Sequence, residues 1–182
     1  MITIDIDRQV FNEAYFDYLD DNTRYLHFYG SAGSGKSVFV AQKLILESFK
    51  YKEGQDVLVV RKIEKTIKES VFKLLKSTIY KWKLDPYFDM LKSPAEITNN
   101  LTGCKFVFTG LDDPEKIKSI SGIQKIWIEE ATELARDDFT ELDRRLRGMK
   151  NHQIIFTYNP IDENNWLKLL FHNSPWENAK II

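Results

Sequence analysis

The residues best suited to chemistry lie in one glycine-rich segment, residues 30–37, which reads GSAGSGKS. This segment matches the pattern G-x-x-x-x-G-K-S, in which glycines let backbone N–H groups turn inward toward a phosphate. An apolar run precedes it over residues 25–29, and apolar residues at helical spacing follow it over residues 38–50. The pattern therefore predicts a strand, a phosphate-binding loop and a helix whose first turn adds partial positive charge.

Two side chains at the end of this loop carry specific roles in the prediction. Lys36 is expected to reach the β- and γ-phosphates of a nucleoside triphosphate, and the Ser37 hydroxyl to help hold Mg²⁺. The alternative is a Gly/Ser-rich turn without a ligand, which the flanking strand and helix disfavour. The predicted ATP-binding residues of the loop are Gly30, Ser31, Ala32, Gly33, Ser34, Gly35, Lys36 and Ser37.

An acidic pair follows a second apolar run. Residues 126–128 read IWI, and Glu129 and Glu130 come directly after them. At the end of a buried strand, Glu129 is predicted to act on the metal side, holding Mg²⁺ through its water shell. Glu130 is predicted to orient or deprotonate the attacking water, which favours hydrolysis over phosphate transfer to a small metabolite. The alternative is two solvated acids at the start of a helix.

A third apolar run, residues 154–156, ends in small polar groups. Thr157 or Asn159 is expected near the γ-phosphate, where a hydrogen bond would differ between triphosphate and diphosphate states. An ordinary exit from strand to turn explains the same residues, because Asn-Pro is a common turn dipeptide.

Phosphoryl transfer also needs positive charge on its transition state, and arginine is the usual source. The candidates are Arg61, directly after an apolar run, and the cluster Arg144, Arg145 and Arg147. Arg144 and Arg145 lie three and four residues after Glu141, so pairing along a helix is the alternative.

The elements that must position these residues alternate between strands and helices. Such alternation predicts one α/β domain over residues 1–182, with a mostly parallel central sheet covered by helices on both faces. Residues 96–98 and 105–108 flank a turn and predict a hairpin. Helices are predicted over residues 10–19, 38–50, 64–82 and 137–147, and further strands over 25–29, 57–60, 126–128 and 154–156.

Composition narrows the class of protein. The 182 residues carry 26 basic and 27 acidic side chains, a net charge of −1, which excludes a uniformly basic nucleic-acid-binding protein but not local basic patches. The one cysteine, Cys104, has no partner for an internal disulfide. No apolar run approaches the roughly 20 residues that span a bilayer. We therefore expect no membrane association and a reducing, intracellular setting.

With these residues in hand, the chain resembles the large subunits of tailed-phage DNA-packaging terminases, in particular the PBSX-like group. The resemblance implies a P-loop NTPase fold of the ASCE type and an ATPase motor that drives double-stranded DNA into an empty capsid. Implied partners are double-stranded DNA, the phage portal, the small terminase subunit and further copies in a ring, all in the host cytoplasm, with a monomer possible in isolation. The motifs that carry it are residues 30–37, 57–62, 108–120, 126–133, 142–148, 156–160 and Trp166.

The same resemblance implies residue roles. Glu130 would be the catalytic glutamate and Glu129 the metal-side acid, while residues 157–159 would fall at the motif that couples hydrolysis to movement. Family members have an adenine-recognition segment near the N-terminus, where Gln9 or Asn12 would lie. The implied cofactors are ATP and Mg²⁺.

Two departures from the family shape the expectations. Many terminases carry an arginine inside the phosphate loop where this chain has Ala32, so its role is either absent or filled from elsewhere. Another subunit of a ring is one source, with Arg144, Arg145 and Arg147 as first candidates. Complete large subunits also continue into a metal-dependent nuclease domain. The expectation is that this domain is absent from these 182 residues, and no DNA cleavage is predicted for them.

Rival interpretations remain at this point. A helicase-like ATPase shares the phosphate loop and the acidic pair but leaves residues 110–120 unexplained. A nucleotide-dependent assembly module with little turnover suits the alanine at position 32, and a nucleoside kinase has no use for Glu130. For gripping DNA, the candidates are Lys62, Lys65 and Lys68, or Lys116 and Lys118, although solvated helix faces explain them equally well.

Overall fold

A computed structural model describes residues 4–111, 120–146, 151–174 and 176–182. Within these ranges, eight strands form one sheet, and five α-helices accompany them. The strands are β1 (Tyr25–Tyr29), β2 (Asp56–Arg61), β3 (Phe88–Lys92), β4 (Ala95–Asn99), β5 (Lys105–Gly110), β6 (Ile123–Glu129), β7 (Gln153–Tyr158) and β8 (Ala179–Ile181). The helices are α1 (Glu13–Phe16), α2 (Lys36–Ser48), α3 (Glu64–Glu69), α4 (Val71–Lys81) and α5 (Arg136–Arg145).

The strand order is β3-β4-β5-β2-β6-β7-β1-β8. The last six strands in this order, β5, β2, β6, β7, β1 and β8, run parallel to one another. Strands β6 and β7 are buried along their whole length, as expected for strands covered on both faces. One strand, β7, separates β1 from β6, so the phosphate loop and the acidic pair emerge at the same edge. The predicted α/β fold with a mostly parallel sheet is confirmed.

Alternation along the strands divides the core between the two faces of the sheet. On β1, Leu26 and Phe28 pack with Phe39 of α2 on one face, whereas Tyr25 packs with Phe139 of α5 on the other. None of the helices in the described ranges is long and apolar enough to cross a membrane.

The prediction of one long helix over residues 64–82 is wrong, because the chain breaks at Ser70 into α3 and α4. Ser70 has φ −105° and ψ −89°, and its hydroxyl donates to the Thr66 carbonyl oxygen at 2.7 Å. Arg61 Nη1 donates to the same hydroxyl at 3.4 Å. Serine side chains compete in this way with backbone hydrogen bonding, which apolar spacing does not reveal.

Two strands lie outside the sequence prediction. Residues 88–92, to which no element is assigned from the sequence, form β3, which pairs antiparallel with β4 and extends the predicted β4–β5 hairpin. Strand β8 adds a parallel edge next to β1. The N-terminal helix is shorter than residues 10–19, since only a 3-10 turn (Arg8–Val10) and α1 form. Arg147, Lys116 and Lys118 lie outside the described residues.

Candidate nucleotide-binding site

The phosphate loop joins β1 to α2 through two glycines in the left-handed region. Gly33 has φ 78° and Gly35 has φ 86°, conformations that residues with a Cβ rarely adopt. Gly35 also ends the loop as the N-cap of α2, and its carbonyl oxygen accepts from the Phe39 N–H at 2.9 Å. Successive backbone N–H groups in such a loop form a concavity that binds anions.

Two side chains near α1 support the loop from outside. Asn12 Nδ2 donates to the Ser34 carbonyl oxygen at 3.0 Å, and the Tyr15 hydroxyl donates to Ser34 Oγ at 3.3 Å. A Cβ placed on Gly35 would lie 3.3 Å from Asn12 Nδ2. The N-terminal segment that contains α1 therefore packs beside the loop. Gln9 is exposed and does not line the cavity described below; its backbone N–H donates to Asp7 Oδ1 at 2.9 Å.

Lys36 is held by the loop itself. Its ammonium donates to the carbonyl oxygens of Gly30 and Ser31 at 2.8 Å each, and to Asn159 Oδ1 at 3.2 Å. Burial lowers the pKa of Lys36, and the charges of Glu130 and Glu129 oppose that shift. The side chain is therefore positioned, charged and surrounded by acceptors that a phosphate can replace.

Glu129 links the loop to β7. Ser37 Oγ donates to Glu129 Oε1 at 2.8 Å, and Thr157 Oγ1 donates to Glu129 Oε2. Trp127 Nε1 in turn donates to Thr157 Oγ1 at 2.9 Å, which fixes that hydroxyl inside the sheet. These contacts orient the Glu129 carboxylate toward α2.

Burial raises the pKa of Glu129, and hydrogen bonds from Thr157 and Ser37 oppose the rise. The neighbouring charge of Glu130 raises the pKa further, whereas the charge of Arg61 lowers it. A buried carboxylate held between two hydroxyls is costly without a cation. Its environment therefore favours a positive ligand.

Glu130 directly follows β6 and has φ 52° and ψ 52°. A left-handed conformation is uncommon for glutamate and is concentrated at functional sites. The conformation turns the chain sharply, so Glu129 is buried at the end of β6 while Glu130 is half-buried beyond it, and both line the cavity described next. The two adjacent acids thus have different surroundings, as their predicted roles require.

A cavity of about 280 Å³ connects these groups at the carboxyl edge of the sheet. That edge is where open α/β sheets bind ligands. It brings together the acidic pair, the β7 end and five of the eight predicted loop residues, whereas Gly30, Ser31 and Ser34 do not line it. The lining residues are Ala32, Gly33, Gly35, Lys36, Ser37, Val38, Glu129, Glu130, Thr157, Tyr158 and Asn159.

The donor set at Ser37 and Glu129 fits Mg²⁺. A hydroxyl and a carboxylate are oxygen ligands of the kind Mg²⁺ takes in proteins, completed by phosphate oxygens and water. No group of three or more His, Cys, Asp or Glu side chains suited to a metal occurs in the described ranges. This sparse protein donor set is typical of a cation that arrives with a nucleotide.

The arginines divide into two groups. Arg144 and Arg145 pair with Glu141 at 3.7 and 2.9 Å on α5, away from the cavity lining, as the helix-pairing alternative states. Arg61 instead lies at the end of β2 beside β6 and pairs with Glu133 at 3.3 Å. Among the candidate arginines within the described residues, Arg61 is the one whose charge lowers the pKa of Glu129.

Sequence reasoning missed two residues of this site. By sequence Trp127 is only part of an apolar strand, yet its indole N–H orients Thr157. Tyr158 lines the cavity, and its hydroxyl lies 2.9 Å from His172 Nε2 and 3.1 Å from His27 Nδ1. Alternation along β6 and β7 would have placed Trp127 and Thr157 on one face, but not their hydrogen bond.

The sheet order and the loop define the class: a P-loop NTPase fold. Solved structures share this fold, including a large terminase from a thermophilic bacteriophage, with a TM-score of 0.75 and 15% identity over 90% of this chain and 41% of that one. The N-terminal domain of the DNA packaging ATPase from bacteriophage phi29 matches with a TM-score of 0.70 and 16% identity, over 92% of this chain and 93% of that domain.

Sequence comparison identifies the family. The family model described as phage terminase large subunit matches residues 22–181, and the chain belongs to that family. It is 35% identical over 158 residues to the PBSX phage terminase large subunit of Bacillus subtilis (strain 168), covering 85% of this chain. It is 29% identical over 156 residues to the terminase large subunit of Bacillus phage SPP1, covering 80% of this chain. The chain spans 36% of the length of each of these relatives.

Proposed function

We propose that this chain is the ATP-hydrolysing motor domain of a phage DNA-packaging terminase. One observation carries the proposal: the cavity presents Lys36, Ser37 and Glu129 for a nucleotide and its cation, and Glu130 separately for water. Related terminase structures have been solved with ADP and with ATP-γ-S, which supports ATP as the ligand.

Binding would exchange contacts that the loop already makes. The β- and γ-phosphates take the place of the Gly30 and Ser31 carbonyl oxygens at the Lys36 ammonium, and the left-handed glycines present backbone N–H groups to the same phosphates. Ser37 and Glu129 would hold Mg²⁺, which neutralises charge on the phosphate oxygens. Gln9 is proposed at the adenine end.

Hydrolysis would depend on Glu130. A carboxylate that lines the cavity without being tied to Ser37 or Thr157 is free to accept a proton from water or to orient it. Positive charge for the transition state would come from Arg61 in the same chain, or from Arg144, Arg145 or Arg147 of a neighbouring copy. The alanine at position 32 leaves this role to a residue outside the loop.

Coupling would run through β7. Asn159 Oδ1 accepts from Lys36, and Thr157 Oγ1 donates to Glu129, so both ends of the nucleotide site contact this strand. When the Lys36 ammonium donates to a γ-phosphate, it would no longer donate to Asn159 Oδ1. A change in phosphate occupancy thus alters the segment that follows β7.

The partners belong to the whole assembly. One similar structure is that of the Phi-28 gp11 DNA packaging motor, with a TM-score of 0.60. This structure and membership of the terminase family support a DNA-packaging assembly in general. The partners that we propose within it are double-stranded DNA, the portal, the small terminase subunit and a ring of copies, in the host cytoplasm. ATP hydrolysis is the activity that we propose for these 182 residues.

The decisive experiment compares wild type with Glu130→Gln. Turnover should fall by about 10²–10⁴-fold, the usual contribution of a general base, while nucleotide binding is retained. Glu53→Gln, which removes an exposed glutamate elsewhere, is the matched control and should keep wild-type turnover. Normal hydrolysis by the Glu130→Gln protein would refute the assignment.

A ring-assembly module with little turnover is the second candidate, favoured by the alanine at position 32 and the surface location of Arg144. Protein concentration separates the two functions. Turnover that rises more than linearly with concentration supports a motor completed by a neighbour's arginine. Nucleotide-dependent oligomers without turnover, with or without duplex DNA, support the assembly module.

A further inference from the structure

Positive charge is concentrated in one segment of this nearly neutral chain. Residues 61–83 hold eight basic side chains and two carboxylates, a net charge of +6, whereas all 182 residues sum to −1. This segment forms the end of β2 and both α3 and α4. The fold therefore presents a strongly basic helix pair on an otherwise acidic molecule.

The helix pair borders a groove of about 600 Å³. Four lysines and one glutamate line it, with the ring of Phe72 among them. Phe72 is buried and packs edge-to-face on Phe108, so it gives the groove a rigid floor. The lining residues are Lys68, Glu69, Phe72, Lys73, Lys76 and Lys92, from α3, α4 and the end of β3.

These lysines are available to a ligand. Among the residues that the structure describes, Lys68, Lys73, Lys76 and Lys92 make no ion pair with a carboxylate, although Glu69 lines the same groove. The Lys76 ammonium rests over the Tyr80 ring at 5.6 Å. By contrast, Lys62 pairs with Asp138 at 2.7 Å, which removes it from the gripping candidates.

Lysines with this spacing suit a row of phosphates. Positions 72, 73 and 76 share one face of α4, and Lys68 from α3 and Lys92 from the β3–β4 hairpin line the same groove. Duplex DNA presents one charge per roughly 1.7 Å of axis, and lysines that neutralise phosphates release bound counterions. The excess of positive charge in the groove complements that backbone.

We propose that the α3–α4 groove binds the phosphate backbone of double-stranded DNA, an inference that rests on the motor function proposed above. Contact with phosphates alone is independent of base sequence, as a motor that moves along any sequence requires. Arg61 connects the groove to the nucleotide site, because it contacts Ser70 at the α3–α4 break and Glu133 just beyond Glu130.

Position in the sheet supports this arrangement. Lys92 pairs with Ala95, and the next residue, Glu96, pairs with Val107, the third of the six residues of β5. Continued by one residue, this register places Lys92 level with the second half of β5, so the groove lies toward the same carboxyl edge as the cavity. Strand β3 is four positions from β6 in the sheet, about 19 Å at usual strand spacing. DNA in the groove would thus be near the nucleotide without entering its cavity.

The test measures binding of the 182-residue protein to a fluorescent 30-base-pair duplex by anisotropy, as a function of salt. The groove variant is Lys73→Gln with Lys92→Gln. We expect its duplex affinity at 50 mM salt to be about tenfold weaker, and the slope of log affinity against log salt to be less steep by about two. Two duplexes of unrelated sequence should behave alike.

The matched control is Lys50→Gln with Lys52→Gln. Both lysines are exposed and lie between α2 and β2, at the amino ends of the parallel strands. Its salt slope should stay at the wild-type value. A third variant, Lys73→Arg with Lys92→Arg, keeps the charge and should restore binding, which separates loss of charge from a folding defect.

Three results would overturn the groove assignment: no duplex binding by wild type, equal losses in the groove and control variants, or an unchanged slope in the groove variant. The first would leave an acidic protein surface as the occupant to examine. Glu130-dependent ATP hydrolysis without DNA is measured on every variant. If this hydrolysis is present while any of the three results holds, the groove assignment is refuted and the proposed ATPase function is retained. If wild type does not hydrolyse ATP, the proposed function is refuted.

Discussion

Buried lysines and glutamates occur at both edges of the central sheet, but they are arranged differently. At the carboxyl edge, Lys36 donates to carbonyl oxygens and Asn159, and within the described residues Glu129 accepts from the hydroxyls of Ser37 and Thr157. At the amino edge, Glu47 pairs with Lys43 at 2.9 Å and with Lys125 at 2.6 Å.

The amino-edge cluster of Lys43, Glu47 and Lys125 is saturated by its own chain. Lys43 also donates to the carbonyl oxygens of Leu19 and Asp21 at 2.7 and 2.9 Å, and Lys125 donates to Gln153 Oε1 at 2.9 Å. These bonds join the N-terminal segment to α2, β6 and β7. The same residue types therefore hold the fold together at one edge and await a ligand at the other.

The largest effect should come from breaking the amino-edge cluster. Glu47→Gln leaves two buried lysines without a counter-charge, and we expect the free energy of unfolding to fall by about 3–5 kcal/mol. Urea denaturation measures it. Glu141→Gln, which breaks surface pairs, should cost under about 1 kcal/mol. Equal losses in the two variants would contradict the distinction.

A smaller effect is expected at the carboxyl edge, and on a different property. Lys36→Ala removes a charged contact to phosphate worth about 1.5–3 kcal/mol, so nucleotide binding should weaken by about 10- to 100-fold. The free energy of unfolding should hardly change, since water can reach the carbonyl oxygens that Lys36 no longer contacts. Lys43→Met, on the same helix, should lower stability and leave nucleotide affinity unchanged. Fluorescent-nucleotide titration and thermal melting report the two properties.

Alkaline pH offers a milder perturbation of the amino edge. Burial lowers the pKa of Lys125 to about 8, from an ordinary value of 10.5. Between these values the unfolded chain binds more protons than the native state, so the contribution of Lys125 to stability rises with pH, by at most about 1.4 kcal/mol per pH unit. The free energy of unfolding of wild type, measured by urea denaturation, should therefore rise relative to that of Lys125→Met between pH 8 and pH 10. A constant difference would contradict this pKa.

The smallest effect should follow from removing Arg61. Its charge lowers the pKa of Glu129, so Arg61→Met should move the acid limb of the pH–turnover profile to higher pH. At neutral pH, turnover should change by no more than about fivefold if the guanidinium acts only through this pair. Arg136→Met, an exposed arginine at the start of α5, is the control. A far larger loss would place Arg61 on the transition state itself.

The sequence predicted the parts of the site whose chemistry depends on local spacing. The phosphate loop, the acids at the end of β6 and the polar end of β7 all meet in one cavity, because parallel strands bring their carboxyl ends to one edge. Apolar periodicity located the strands of the parallel centre. It missed β3 and β8, whose residues are partly exposed at the sheet edges.

Periodicity also failed at Ser70, where a hydroxyl and Arg61 interrupt an otherwise continuous apolar pattern. The lysines of the groove show the same limit. Local sequence makes Lys62 and Lys68 equally good candidates for gripping DNA. The fold, however, places Asp138 beside Lys62 and leaves Lys68 in a groove with three other lysines. Charge pairing across 76 residues of chain depends on packing, not on local pattern.

The sequence by itself thus determined the family and the parallel α/β core and predicted a nucleotide as the ligand, since each follows from residue types at short spacing. Only the tertiary structure decided which buried charges are paired and which face a cavity. The physical reason is that burial and counter-charge come from distant segments. Lys43 and Lys125 are held by Glu47, whereas Lys36 on the same helix as Lys43 faces carboxylates across an open cavity.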